Sequence, residues 1–302
     1  MTGTNSRSRV RDLLADATEG LLEAGVESPR HDAETLLAWV LGIPRRGLGT
    51  AAAPTPAQKE AFAAALARRS SREPLQHITG TAGFRYLDLE VGAGVFVPRP
   101  ETEVLAGEAV AELRALVGRG MAEPRAVDLC TGSGAVAAAL ASEVPEARVT
   151  AVELSPQAWA FAVRNTRPYG VDVRLGDIAY SVDDLAGHVE VVTANPPYIP
   201  LEAFESVATE ARDFDPPLAL WSGEDGLDAI RSVAEVAARL LVDGGRVLCE
   251  HADSQGEAAP AVFAAAGHWR QVRDHADLSG RPRFVSARRA PRRPGSAGTI
   301  AV

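Results

Sequence analysis

Apolar positions recur at helical spacing through the first part of the chain, then give way to short apolar runs separated by helical stretches. Val10, Leu13, Leu14, Ala17, Leu21 and Leu22 repeat at intervals of three and four, which predicts a first helix. Ser28-Pro29 supplies an N-cap with proline at the first helical position, and Ala33, Leu36, Leu37, Val40 and Leu41 follow on one face. Thr55-Pro56 repeats that start signal before AQKEAFAAALARRSSRE. Residues 1–73 therefore read as a small helical bundle, without a catalytic constellation of their own.

Residues 74–103 change period. The alternation from Tyr86 to Val91, with a glycine-containing turn before Val95, Phe96 and Val97, predicts a β-hairpin connector. From residue 104 to 288 the pattern becomes strand, helix, strand, helix. Strands are expected at 126–130, 148–152, 171–175, 190–194 and 246–249, with helices at 134–142, 156–166 and 226–241. Such alternation argues for a mostly parallel α/β sheet covered on both faces. Segments 268–274 and 282–288 are expected to form an antiparallel pair at its edge. Residues 289–302 are rich in Pro, Gly, Arg and Ala without periodicity, and read as a disordered tail.

Composition narrows the function classes. The chain has 302 residues, is 46% hydrophobic and 24% charged, and carries a net charge of −9. That balance suits a soluble globular protein and speaks against a surface built for a nucleic-acid backbone. Lys59 is the only lysine, so no lysine nucleophile lies beyond the first region. The two cysteines, Cys130 and Cys249, have no metal-ligand spacing and fall in apolar runs, as small core residues do. No metal site is expected. No run reaches signal-peptide or membrane-spanning length, and the protein is expected to be cytoplasmic.

Candidate chemistry gathers at the ends of the predicted strands. VDLCTGSGAV (127–136) reads as strand, glycine loop and helix start, placing Cys130, Thr131, Gly132, Ser133 and Gly134 where open α/β sheets bind ligands. The spacing departs from the dinucleotide fingerprint, so a pyrophosphate is not the expected ligand. Glu153 ends the next strand, where a carboxylate can accept from two ribose hydroxyls. Asp177 follows the third strand, with Ile178 as an apolar plate for an adenine. Together these describe an adenosine pocket without a phosphate-binding device, which fits S-adenosylmethionine.

The fourth strand ends in Asn195, Pro196, Pro197 and Tyr198. Two prolines cannot continue a ladder, and they stiffen the backbone so that a carbonyl points outward. A planar amide or exocyclic amine is a poor nucleophile because its lone pair is delocalised. The Asn195 side-chain oxygen and the Pro196 carbonyl could accept its two N–H bonds and hold the nitrogen toward a methyl group. Tyr198 could stack on the planar group. Asn195 would act as an acceptor, not a base. The tetrapeptide alone does not choose among a protein amide, a DNA adenine-N6 and an rRNA guanine-N2, nor does the sheet alone exclude a silent Rossmann-like binding module.

The blocks around the tetrapeptide resemble the HemK/PrmC protein-(glutamine-N5) methyltransferases. PLQHITG (74–80) resembles that family's Pro-x-Gln-Tyr-x-x-Gly, with His77 in the tyrosine's place. VFVPRPETE (95–103) matches its Pro-Arg-Pro-Glu-Thr-Glu signature. EARDFDPPLALWSGEDGLD (210–228) resembles a further block, with Asp215 and Ser222 as substitutions, and CEHADSQG (249–256) matches the block after the fifth strand. The likeness runs from about residue 8 to 288.

The resemblance implies a Rossmann-like class I methyltransferase sheet behind an N-terminal substrate-binding bundle. It implies that residues 130–134, Glu153, Ile178 and Asn195 contact S-adenosylmethionine and that residues 195–198 hold the target. That target is the glutamine of the Gly-Gly-Gln motif of peptide chain release factors. Cys130 stands where a glycine is common. Neither DNA nor a membrane is expected as a partner, and the chain is expected to act as a monomer. Glu101 and Glu103 read as functional or, at least as well, as surface salt bridges or hairpin caps, and His77 and His251 as locally structural.

Overall fold

The computed structural model describes residues 3–292; residues 293–302, most of the segment read as a tail, lie outside the described residues. The described residues fold as two compact units, one of residues 3–81 with 208–214, the other of 82–207 with 215–292.

In the first unit, α1 (Gly3–Glu23), α2 (Pro29–Leu41), α3 (Pro56–Ser70) and α4 (Leu75–Thr79) bury Val10, Ala17, Leu21, Leu36, Leu37 and Phe62 in one apolar cluster. Leu22 is not part of it and is 62% exposed, because one further residue turns a helix by about 100°. The two sequence start signals behave differently. Thr55 forms a full capping box with Gln58, its Oγ1 accepting from Gln58 N at 3.3 Å while Gln58 Oε1 accepts from Thr55 N at 2.9 Å. Ser28 makes no side-chain cap bond, leaving Pro29 to open α2.

The second unit begins with a two-stranded sheet, β1 (Thr81–Phe84) and β2 (Leu87–Glu90). The hairpin thus closes before the glycine turn rather than across it. Val95 and Val97 are fully buried beside Val91 and Ala158 but lie outside the strands. Period-two alternation reports which side chains are buried, not whether the backbone has a partner. A helix absent from the sequence reading follows, α5 (Thr102–Gly118), burying Leu105, Ala109, Val110 and Leu113.

The large sheet then builds from β3 (Arg125–Leu129), α6 (Ala135–Glu143), β4 (Arg148–Glu153), α7 (Pro156–Thr166), β5 (Asp172–Leu175) and β6 (Val189–Ala194). After α8 (Thr209–Phe214), which belongs to the first unit, come α9 (Asp228–Leu240), β7 (Leu241–Glu250), α10 (Ala258–Ala265), β8 (Trp269–Ala276) and β9 (Pro282–Arg289). Strand order is β5-β4-β3-β6-β7-β9-β8, parallel through β7 and antiparallel for β9 and β8. This is the mostly parallel sheet with an antiparallel edge that the sequence pattern predicted. The sheet reaches Arg289, one residue into the expected tail, and Arg292 still donates to the carbonyl of Leu241 at 3.0 Å.

Candidate active site

Registry lines up the strand ends. Leu129 pairs with Val152 and Ala194, Glu153 with Leu175, and Ala194 with Cys249. The loops after β5, β4, β3 and β6 therefore emerge side by side, and the chain reverses its winding between β3 and β6. That crevice is where open α/β sheets place ligands.

The loop after β3 turns sharply. Cys130 has φ 58°, so it lies one residue past the strand in a left-handed conformation rather than inside the apolar run. For a residue with a Cβ this costs on the order of 1 kcal/mol, a cost that a glycine would not carry. Gly132 (φ 58°) and Gly134 (φ 82°) are glycines for separate reasons. A Cβ on Gly132 would meet nothing within 4 Å, so its face of the loop is open. A Cβ on Gly134 would lie 2.8 Å from Thr166 Cγ2 and 3.1 Å from Ala162 Cα, where α6 packs on α7. Ser133 is buried and its carbonyl accepts from Asn165 Nδ2 at 2.8 Å. The Thr131 hydroxyl also points inward, donating to Asp128 Oδ2 at 2.5 Å. These bonds, with that from Gly132 N to Glu153, hold the loop in shape.

Asp128 was not among the residues singled out from sequence. It is 2% exposed, and its other oxygen accepts from Thr193 Oγ1 at 2.7 Å, across the β3–β6 pair. It thereby ties the glycine loop to the strand that ends at Asn195. Burial raises its pKa to about 6 against the pull of the two hydroxyl bonds.

Glu153 is buried at the end of β4. Gly132 N and Ser155 N each donate to one of its oxygens, both at 2.8 Å, and burial raises its pKa. Each carboxylate oxygen keeps a lone pair beyond that bond. Asp177 is exposed, and its Oδ1 accepts from Ala179 N at 2.8 Å, so it shapes the turn after β5. Ile178 is half-buried against the apolar cluster containing Leu129, Val152 and Val182.

Asn195 Nδ2 donates to Thr102 Oγ1 at 3.3 Å. Pro196 is buried and Pro197 half-buried. Tyr198 is half-buried by surface area but its hydroxyl is enclosed, and burial raises its pKa. The Glu250 carboxylate is buried close by, with its Oε2 lacking a hydrogen-bond partner. Glu250 is 1% exposed; burial lifts its pKa to about 7, with Thr102, Arg283 and Tyr198 opposing. Gln255 clamps the same loop from below, donating to the carbonyl of Tyr198 at 3.1 Å and to that of Gly226 at 3.3 Å. Gly226 is close enough that a Cβ would lie 2.4 Å from the Tyr198 carbonyl oxygen.

The signature blocks turn out to support the tetrapeptide and the hairpin. In Pro-Arg-Pro-Glu-Thr-Glu the threonine reaches Asn195, while Glu103 accepts from Arg85 N at 3.0 Å and caps the hairpin. Glu101 is exposed. Arg99 pairs with the buried Asp215 at 2.7 Å, and burial raises the Asp215 pKa to about 6. Ser222 Oγ accepts from Ala229 N at 2.9 Å in the first turn of α9. His251 is buried against Asp274 at 2.9 Å, and His77 is also buried. Among the described residues no group of three His, Cys, Asp or Glu could hold a metal. A mid-strand acid in VDLC and a glutamate closing VLCE are the sequence signals for Asp128 and Glu250, since a charge in a buried strand needs partners.

Sheet order, glycine loop and the amide after β6 together define a methyltransferase of the class I type. Comparison with known proteins agrees. Residues 126–214 match the methyltransferase domain model, and residues 12–80 match the PrmC N-terminal domain. A release factor glutamine methyltransferase of Streptomyces coelicolor is 53% identical over 277 residues, which cover 92% of this chain and 97% of the relative. One from Mycolicibacterium smegmatis is 44% identical over 290 residues, covering 94% and 99%. A 4-amino-L-phenylalanine/4-methylamino-L-phenylalanine methyltransferase of Streptomyces pristinaespiralis is 42% identical over 269 residues, covering 88% and 91%. The chain belongs to the release factor glutamine methyltransferase family.

Proposed function

We propose that this protein transfers a methyl group from S-adenosylmethionine to the side-chain amide nitrogen of the Gly-Gly-Gln glutamine in peptide chain release factors. The observation that carries this reading is the Asn195 amide, whose nitrogen is bound back to Thr102 and whose oxygen is left as an acceptor beside the β3–β6 crevice. The chain's residues fit the cosubstrate. Glu153 keeps one lone pair on each oxygen for ribose hydroxyls, and the open face of Gly132 admits a ligand against the backbone of residues 130–134. Asp177 and Ile178 would border the adenine. When bound, S-adenosylmethionine supplies an electrophilic methyl group on a sulfonium.

The chain contributes position and polarity. Asn195 Oδ1 and the Pro196 carbonyl accept the two amide N–H bonds, which fixes the nitrogen and favours its pyramidal form. Pro196 and Pro197 hold that carbonyl still, and the Tyr198 ring covers the amide plane. The methylated nitrogen gives up one proton, and an asparagine cannot take it, so the proton leaves to water. The helical first unit would grip the substrate protein. The net charge of −9 speaks against affinity for DNA, and the enzyme would act as a monomer in the cytoplasm.

A second reading comes from the relative named for a 4-amino-L-phenylalanine substrate, because an aromatic amine offers the same planar nitrogen. One experiment separates the two. The protein is incubated with methyl-labelled cosubstrate and, in parallel, a release factor, its Gln→Ala variant, 4-amino-L-phenylalanine and nucleic acid. Label should enter the wild-type factor alone. Label in the amino acid or in nucleic acid, with none in the factor, refutes the proposal.

A further inference from the structure

The tetrapeptide is held at its far end by a side chain from the loop after β7. Gln255, 6% exposed, places its amide nitrogen 3.1 Å from the Tyr198 carbonyl oxygen, 3.3 Å from that of Gly226 and 3.4 Å from that of Asp225. Its amide oxygen accepts from Ala252 N at 3.0 Å. Carbonyls only accept and a backbone N–H only donates, so these four partners admit one orientation of the amide. Ala252 is fixed in turn. Its carbonyl accepts from Gln255 N at 2.9 Å and from His251 Nδ1 at 2.8 Å, which places a proton on that ring nitrogen. His251 is fully buried; its Nε2 lies 2.9 Å from Asp274 Oδ1 on β8, and its backbone N donates to the Arg283 carbonyl on β9 at 2.9 Å. A continuous run of hydrogen bonds thus leads from the antiparallel edge of the sheet to Tyr198.

We propose that Gln255 is a positioning residue for methyl transfer, setting where the Asn195–Tyr198 tetrapeptide stands, and that His251 braces it through the Ala252 carbonyl. This rests on the reading that the tetrapeptide holds the substrate nitrogen. Neither residue touches the reacting atoms; both act through the loop. Pro196 and Pro197 have fixed φ, so little slack separates the Tyr198 carbonyl from the Pro196 carbonyl that accepts from the substrate. A shift at one is passed to the other, and a misplacement of about 1 Å costs about 100-fold in rate. Gly226 belongs to the same device. Its φ is 75°, and a Cβ there would lie 2.8 Å from Gln255 Nε2, so only a glycine lets that stretch of backbone close on the amide.

The test compares wild type with Gln255→Met, which keeps the length and loses both polar ends, and Gln255→Glu, which keeps the shape but turns an acceptor toward three carbonyls when ionised. Turnover of Gln255→Met should fall by about 10- to 100-fold in kcat, with KM and cosubstrate Kd nearly constant. The carboxyl introduced by Gln255→Glu donates only when protonated, and burial among carbonyls favours that form. Its kcat relative to wild type at the same pH should therefore climb at least about fivefold from pH 8 to 6, a recovery that a merely damaged fold does not show. Hydrogen exchange of the Gln255 side-chain NH2, followed by nitrogen-15 NMR, reads the brace without any substrate. It should be slow in wild type and roughly tenfold faster in His251→Leu. A Gln255→Met enzyme with wild-type kcat overturns the proposal, as does a Gln255→Glu ratio that stays flat from pH 8 to 6; if Gln255→Glu does not fold, Gln255→Met decides alone. Unchanged exchange in His251→Leu overturns the brace. A wild type that leaves release factors unmethylated, yet shows a protected NH2 that His251→Leu exposes, refutes the functional reading while supporting the bracing of Gln255.

Discussion

Replacing Asp128 with asparagine should change how stability depends on pH. Asp128 is buried between the Thr131 and Thr193 hydroxyls, and burial raises its pKa from 3.8 to about 6. A carboxyl raised in the fold binds its proton more tightly folded than unfolded. Its contribution is therefore full below pH 3.8 and is lost as pH rises through 6. The gap of about 2.2 pH units, at 1.36 kcal/mol each, amounts to ~3 kcal/mol, of which ~2 kcal/mol falls between pH 4.5 and 8. Asparagine does not titrate. The stability of Asp128→Asn relative to wild type should thus rise by ~2 kcal/mol from pH 4.5 to 8, whatever constant offset the lost acceptor introduces. Urea unfolding of both proteins side by side at several pH values measures this, and the subtraction cancels every other titrating group. A difference flat to within about 0.5 kcal/mol across that range would refute the reasoning.

Three further outcomes follow from the site and the first unit. Asn195→Ala should lower kcat by ~10²–10³-fold while calorimetric cosubstrate binding stays measurable, and retained turnover would remove Asn195 from the acceptor role. Gly226→Ala pushes a Cβ onto the Tyr198 carbonyl at a residue with φ 75°, so it should cost ~1–3 kcal/mol in a denaturant melt and lower kcat as well; an unchanged melt contradicts the close approach. Burial alone would raise the Glu210 pKa, but hydrogen bonds from Arg72 and Arg69 hold it to about 2. Its stabilisation is present above the unfolded value of 4.5 and lost as pH falls through about 2. Because solvent partly screens the group, Glu210→Gln should cost about 1–2 kcal/mol at pH 7, a deficit that shrinks below pH 4.

The central strands β3, β4 and β6 were legible because they are buried on both faces and are mostly apolar, whereas the edge strands β5 and β8 are largely exposed and mixed in sequence. The helix Thr102–Gly118 was missed, although Pro100 precedes it and Leu105, Ala109 and Leu113 carry its stripe. The hairpin was placed too late because Val95 and Val97 alternate like a strand while lying outside the two strands of the hairpin. Site residues that are chemically distinctive, such as Glu153 and Asn195, stood out from the sequence. Thr102 did not, for its meaning lies in a contact with a residue 93 positions away. The capping at Thr55 was readable, since both halves of that box lie within four residues.

The first unit is not a contiguous stretch of chain. Arg69 donates to Asp32 at 2.8 Å and to Glu210 at 3.1 Å, and Arg72 donates to Glu210 at 2.7 Å, so a partly buried ionic network is closed by a residue that follows the Asn195–Tyr198 tetrapeptide in the chain. No single cut can release that unit whole. A fragment ending at residue 81 keeps two arginines and forfeits the carboxylate they share. A gene encoding only the first 81 residues would therefore encode an unfinished domain.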